Sequence, residues 1–432
     1  MAIEAADEGR KASASEPGAG TAAPSRSAHA MAVIGPILSK ALVTRQKLVT
    51  RHDFQQTGAV PLFCAGGTTV MVAVNAETVQ AWDVANGRDR LLLAGHKDRL
   101  QAAAFDRDCG RVALAAGEYG IGIWSLATGK QVKMLKGHES DVVVARFSPD
   151  GRLMVSGDQD RFARIWDLGT GRTLAVLRGH EDGITAIEFT PDGSRVVTAS
   201  KDKTARVWDA VSGRPVISLE GHQGVVIGAT ISSDGKRIVT TSWDGAAMLW
   251  EAFTGRVIAR LQVEKSAIMA AHFAPDGQYL ATITHAGEAQ VWNGVTGERI
   301  TALAGHPDPI RSLVFSTDGK RIGALSWSGS VSLWEVGSWT HGAVLEAGES
   351  RPQAIAFQAN ASRLTALTAG GTLVSWPVLS STDELIGEAR KVAPACFSAA
   401  ERAVHGLGAQ LPEWCAKLGK LPLEKPSMAD PR

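Results

Sequence analysis

The sequence predicts an all-β protein: a single eight-bladed propeller, each blade a four-stranded antiparallel sheet. Three observations predict it. Tryptophan recurs at Trp82, Trp124, Trp166, Trp208, Trp250, Trp292, Trp334 and Trp376, in steps of 42 residues without slippage. Gly-His pairs recur in one phase at Gly95-His96, Gly137-His138, Gly179-His180, Gly221-His222 and Gly305-His306. Between these markers, short apolar runs alternate with turn residues. Such a unit is too small to bury its own apolar faces and must stack on copies of itself. Seven closed blades, with the degenerate first or last repeat displaced, are the alternative.

The repeat is clearest from Gly179 to Asp209. An apolar run from Ile184 to Phe189 ends in the turn Pro191-Asp192-Gly193. A second run from Arg195 to Thr198 meets a tight turn around Lys201 and Asp202, and a third closes on Trp208. Three short strands joined by sharp turns read as a meander. The first turn recurs at Ser148 to Gly151, Ser232 to Gly235, Ala274 to Gly277 and Ser316 to Gly319. Its glycine takes the left-handed position. A second glycine series, Gly87, Gly129, Gly171, Gly213, Gly255 and Gly297, turns the chain from the third strand to the fourth.

The flanks differ. Residues 1–43 are rich in Ala, Ser, Gly and Pro over most of their length and predict a disordered, low-complexity segment. The propeller is expected over residues 44–378. Gln46 to Thr50 is expected to supply the outer strand of the blade that holds Trp376, because an incomplete last blade leaves sheet edges open. Residues 379–432 predict a short helical tail, from capping boxes at Ser381 to Glu384 and Ser398 to Glu401.

Composition narrows the function classes. The chain has 432 residues, 44% hydrophobic, with a formal net charge of +1. Nucleic-acid binding needs a concentrated basic face, so it is not expected. No apolar window of about 18 residues predicts a membrane span, and acidic residues precede any apolar run at the N-terminus, unlike a secretory signal. The four cysteines, Cys64, Cys109, Cys396 and Cys415, show no CxxC spacing and read as free thiols in a reducing cytoplasm.

These motifs resemble the WD40 (WD-repeat) propeller family over roughly residues 45 to 378. The resemblance implies a side-chain network in each complete repeat, running from Asp to His to a hydroxyl to the indole N–H. The complete sets are His138, Ser156, Asp160 and Trp166; His180, Thr198, Asp202 and Trp208; and His222, Thr240, Asp244 and Trp250. A satisfied network of buried polar groups fixes how strands and turn meet. The first repeat lacks Gly-His and has Ala76 at the aspartate position; the second has Glu118 there. The sixth has Glu264 and Ala286 for His and Asp, the seventh has Ala324 and Ser328, and the eighth keeps little beyond Trp376. The C-terminal segment resembles tails found after propellers in bacterial effector proteins.

Motifs for chemistry are missing. There is no HExxH, GxSxG, P-loop or EF-hand loop. Gly120-Ile-Gly122 reads as strand, and Asp158 with Asp160 does not read as a cation site. No catalytic residue, metal, cofactor or small-molecule substrate is expected, and no cluster of ionisable groups converges at an axial mouth.

The resemblance places partner contacts on one rim, at the start of the first strand and just before the turn aspartate. The pre-aspartate residues are Asn75, Gly117, Gln159, Lys201, Trp243, His285, Trp327 and Ala369. Trp243, His285 and Trp327, with Ile227, Met269 and Arg311 from the first strands, form the candidate site. Turn tryptophans outside the repeat series have the composition of a binding hot spot, or else lie flat over neighbouring loops. Arg99, Gln101 and Asp141 read as ordinary solvated rim. The functional expectation is a non-enzymatic cytoplasmic scaffold that binds a protein or peptide. The alternative is a sensor subunit partnered with a separately encoded effector.

Overall fold

The computed structural model describes residues 44–47, 62–64, 67–73, 78–84, 89–94, 100–116, 120–263, 266–345, 347, 351–369 and 371–378. The N-terminal segment and the helical tail expected at 379–432 lie outside the described residues. So do Gly95-His96, Ala76, Glu118, Glu264, Asn75, Gly117, Arg99, Cys396 and Cys415. The described residues contain no helix.

They form eight four-stranded antiparallel sheets, so the seven-bladed alternative does not hold. Seven sheets take their strands in chain order. The eighth is ordered Pro352–Phe357, Arg363–Thr368, Thr372–Pro377 and then Thr44–Lys47 outermost. The expected closing strand is present but begins earlier than Gln46, with Gln46 and Lys47 common to both readings.

The chain divides into two compact units. The larger comprises Arg45–His341 and Glu346–Ser375; the other comprises Met1–Thr44, Gly342–Leu345 and Trp376–Arg432. Within the larger unit, neighbouring sheets pack through shared apolar clusters. Trp208 joins Ile165 and Leu177 of the preceding sheet, and Trp250 joins Val207 and Leu219. Leu367 and Leu373 of the eighth sheet cluster with Val70 and Trp82 of the first, which closes the ring. Each fully buried indole removes a large apolar surface from water, and its truncation costs about 3–5 kcal/mol.

Turn chemistry fixes the registers. Ser148 Oγ donates to Asp150 Oδ1 at 2.6 Å, and Gly151 follows at φ 67°. Cys109 (φ 55°) occupies the same left-handed position in the second sheet. Its sulfur is bonded to Cys64, with Cα atoms 5.8 Å apart. The free-thiol expectation is therefore corrected for this pair. The separation of 45 residues is one repeat plus three, so stacking sheet on sheet brings together two turns that look remote along the chain.

The expected networks form. His180 Nδ1–H donates to Asp202 Oδ2 at 2.7 Å, His180 Nε2 meets Thr198 Oγ1 at 2.7 Å, and Trp208 Nε1–H donates to Thr198 Oγ1 at 2.8 Å. His222, Asp244, Thr240 and Trp250 repeat the arrangement. A carboxylate can only accept and an indole can only donate, so Asp202 accepts from the imidazole and the Thr198 hydroxyl oxygen accepts from the indole. Burial alone would raise the Asp202 carboxyl, but hydrogen bonds from His180, Thr204 and the Glu181 amide hold it well below its ordinary range.

The third sheet differs from expectation. His138 donates to Asp158, not Asp160, at 2.7 Å. Asp158 stands where the fourth sheet has Ser200. Its longer acid side chain reaches the imidazole and also accepts from the Asp160 and Phe162 amides. Asp160 is left exposed. In the seventh sheet, with Ala324 at the hydroxyl position, Trp334 Nε1–H donates to the Ala304 carbonyl at 2.8 Å. His306 Nδ1 turns to Ser332 Oγ at 2.6 Å.

Candidate partner-binding rim

The turns between second and third strands share one frame. In the fifth sheet the Trp243 amide donates to the Val225 carbonyl at 2.9 Å, Asp244 turns inward to His222, and Gly245 follows at φ 89°. Between a pinned amide and an inward acid, the intervening side chain is directed to solvent. Trp243 is 67% exposed. The His285 amide donates to Ala267 at 2.7 Å and the Trp327 amide to Pro309 at 3.1 Å. His285 is exposed, and Trp327 is 68% exposed. Gln159 and Lys201 are exposed at the equivalent position, whereas Ala369 is buried.

Ile227, Met269 and Arg311 are the second residues of Val226–Ile231, Ile268–Phe273 and Ile310–Phe315, and all three are half-buried. Arg311 is tied down. Its guanidinium lies 5.7 Å from the centroid of the Trp327 ring, and Nη2 donates to the carbonyls of Pro352 and Gln353. Burial lowers its pKa from the ordinary arginine value. On the earlier rim, Gln101 donates to Asp141 at 3.2 Å in an exposed setting, as expected of solvated surface.

Three features escaped the sequence reading. A cavity of about 540 Å³ opens beside Arg311 and Trp327, among the innermost strands Leu62–Phe63, Ile310–Phe315 and Pro352–Phe357. Its lining residue Val314 pairs in register with Gly323, where the third to fifth sheets carry Val155, Val197 and Val239. A Cβ at Gly323 would touch Phe357, Val314 and Leu364.

Second, an ion pair joins the innermost strands of the third and fourth sheets. Arg146 Nε lies 3.7 Å from Glu188 Oε2, and His272 occupies the same register two sheets on. Desolvation by the surrounding strands raises the Glu188 carboxyl against the pull of Arg146, although the side chain is only half-buried, and His272 is exposed.

Third, Val211, Phe253 and Val295 are exposed at 42-residue spacing in the turns between third and fourth strands. Successive hairpin turns lie at opposite ends of their strands, so this series faces away from the Trp243 turns. Among the described residues, no group of three or more His, Cys, Asp or Glu could hold a metal ion, and no helix is long and apolar enough to cross a membrane.

A family model described as the IFT122 first beta-propeller matches residues 147–376. No curated protein matches the chain. Among solved structures, the computationally designed Ika8 protein is similar, with a TM-score of 0.66 at 25% identity; the match covers 77% of this chain and 100% of that one.

Proposed function

Because the chain belongs to the IFT122 first beta-propeller family, we propose that it is a non-enzymatic interaction module. It captures a peptide or protein segment on the rim that carries Trp243, His285 and Trp327. The observation that supports this most is the exposure of both turn indoles, each about two-thirds open to solvent. Rings that merely covered neighbouring loops would be largely buried. Exposed tryptophan costs solubility, and with an adjacent arginine it is the composition that dominates interface energies. Ile227 and Met269 add an apolar floor in the sheets alongside. The Cys64–Cys109 disulfide removes the premise behind the reducing cytoplasm and fits an oxidising compartment better.

The test is capture of partners from lysate by the full chain and by Trp243→Ala/Trp327→Ala. The variant loses capture while its melting temperature stays close to that of the parent. Unaltered capture rejects the site.

A further inference from the structure

Among the described residues, Arg311 is the only charged side chain lining the 540 Å³ cavity. Leu62, Phe63, Val314, Phe315, Ile355 and Phe357 supply most of the wall. Arg311 Nη2 is engaged by two carbonyls, but Nε and Nη1 make no hydrogen bond among the described residues. No acid forms an ion pair with Arg311 there either. A half-buried guanidinium without a counter-charge is costly, and its planar fork matches a carboxylate. The backbone carbonyls and the Trp327 ring hold the group at the cavity lip, so this geometry is in place before any ligand arrives.

We propose that this cavity binds a monocarboxylate joined to an apolar body, the acid on Arg311 and the apolar part between Val314 and Phe357. A single unpaired positive charge suits a monoanion better than a phosphate dianion, and the volume falls in the usual range for small-ligand sites. The required chemistry is present both in a free aromatic or aliphatic acid and in a peptide C-terminus whose last residue is apolar. The site shares Arg311 and Trp327 with the proposed rim but needs neither Trp243 nor His285, so the two readings fail separately.

Calorimetry with the full chain tests it, using 3-phenylpropionate and an N-acetylated Gly-Ser-Gly-Phe peptide, each beside its amide counterpart. At least one acid saturates the protein, and its amide binds about tenfold weaker or worse. Arg311→Gln removes that preference, and Arg311→Lys, which keeps the charge, retains part of it. Val314→Phe, which fills the cavity, removes binding of both acids without touching the guanidinium. Trp243→Ala leaves binding unchanged. Stronger binding of the free acid assigns a small metabolite as source, and stronger binding of the peptide assigns a chain terminus. Saturation by neither acid, equal binding of acid and amide, or unchanged binding in Val314→Phe overturns the proposal.

Discussion

His138 donates from Nδ1 to Asp158 Oδ2 at 2.7 Å, while Asp160, two residues on, stands exposed. One sheet later the partner of His180 is Asp202, which is the Asp160 position shifted by a repeat. Two different residues of the same turn thus complete one kind of network. Asp158→Ala leaves a buried imidazole N–H without its acceptor and frees two turn amides, and should cost about 1–3 kcal/mol. Asp160→Ala should stay within about 0.5 kcal/mol of the parent. Urea unfolding of both variants checks this, and a larger loss for Asp160→Ala would contradict it.

The disulfide between Cys64 and Cys109 ties the first sheet, which keeps little of the motif, to the second. Cross-linking across 45 residues restricts the unfolded chain by about 4 kcal/mol in the loop-entropy account. Dithiothreitol should therefore lower the thermal midpoint of the parent and leave Cys64→Ser unmoved. Equal sensitivity of both proteins to the reductant would show that the link contributes nothing.

Acid should weaken the fold in two stages. Burial lowers the His222 imidazole below its ordinary value of 6.5, although Asp244 opposes the shift. Burial likewise lowers His306 and His341. As pH falls below 6.5, the unfolded chain takes up these protons first, so stability present above that pH is lost toward the lowered folded values. Asp202 and Asp244 are held below 3.8 despite burial, and their contribution is lost only below that pH. Chemical-denaturation midpoints from pH 8 to 3 check both stages. A flat profile between about pH 7 and 5 is the contrary result.

Thr230 Oγ1 is sealed from solvent and has no hydrogen-bond partner among the described residues. Thr230→Val keeps the shape and removes a polar atom that has lost its water. It should raise stability by about 1 kcal/mol, read as a higher denaturation midpoint. A lower midpoint would mean that the hydroxyl is satisfied in solution.

The architecture was legible because it is written at a fixed period. The indoles recur in every sheet and the Gly-His pairs and Asp-Gly turns in most, so one sheet explains the strand pattern of the others. The outward direction of Trp243 and Trp327 was legible for the same reason, since a conserved turn frame leaves only one place for the side chain between them. What could not be read depends on contacts between repeats. Arg146 meets Glu188 only when adjacent inner strands align, and Cys64 meets Cys109 only when two turns stack. The cavity needs Leu62, Arg311 and Phe357 together, and no single repeat contains all three. Asp158 was missed for a subtler reason. Phase alone ranks positions, and it does not register that an acid two residues earlier, where the next sheet has Ser200, reaches the same imidazole.

The most direct test of the proposed rim is site-specific photo-crosslinking. A benzophenone side chain replaces Trp327 in one full-length protein, Trp243 in a second, and Phe253, exposed at the opposite ends of the strands, in a third. The account predicts that the same partner is cross-linked from positions 327 and 243 and not from 253. Cross-linking from 253 alone would place recognition on the other face and contradict it.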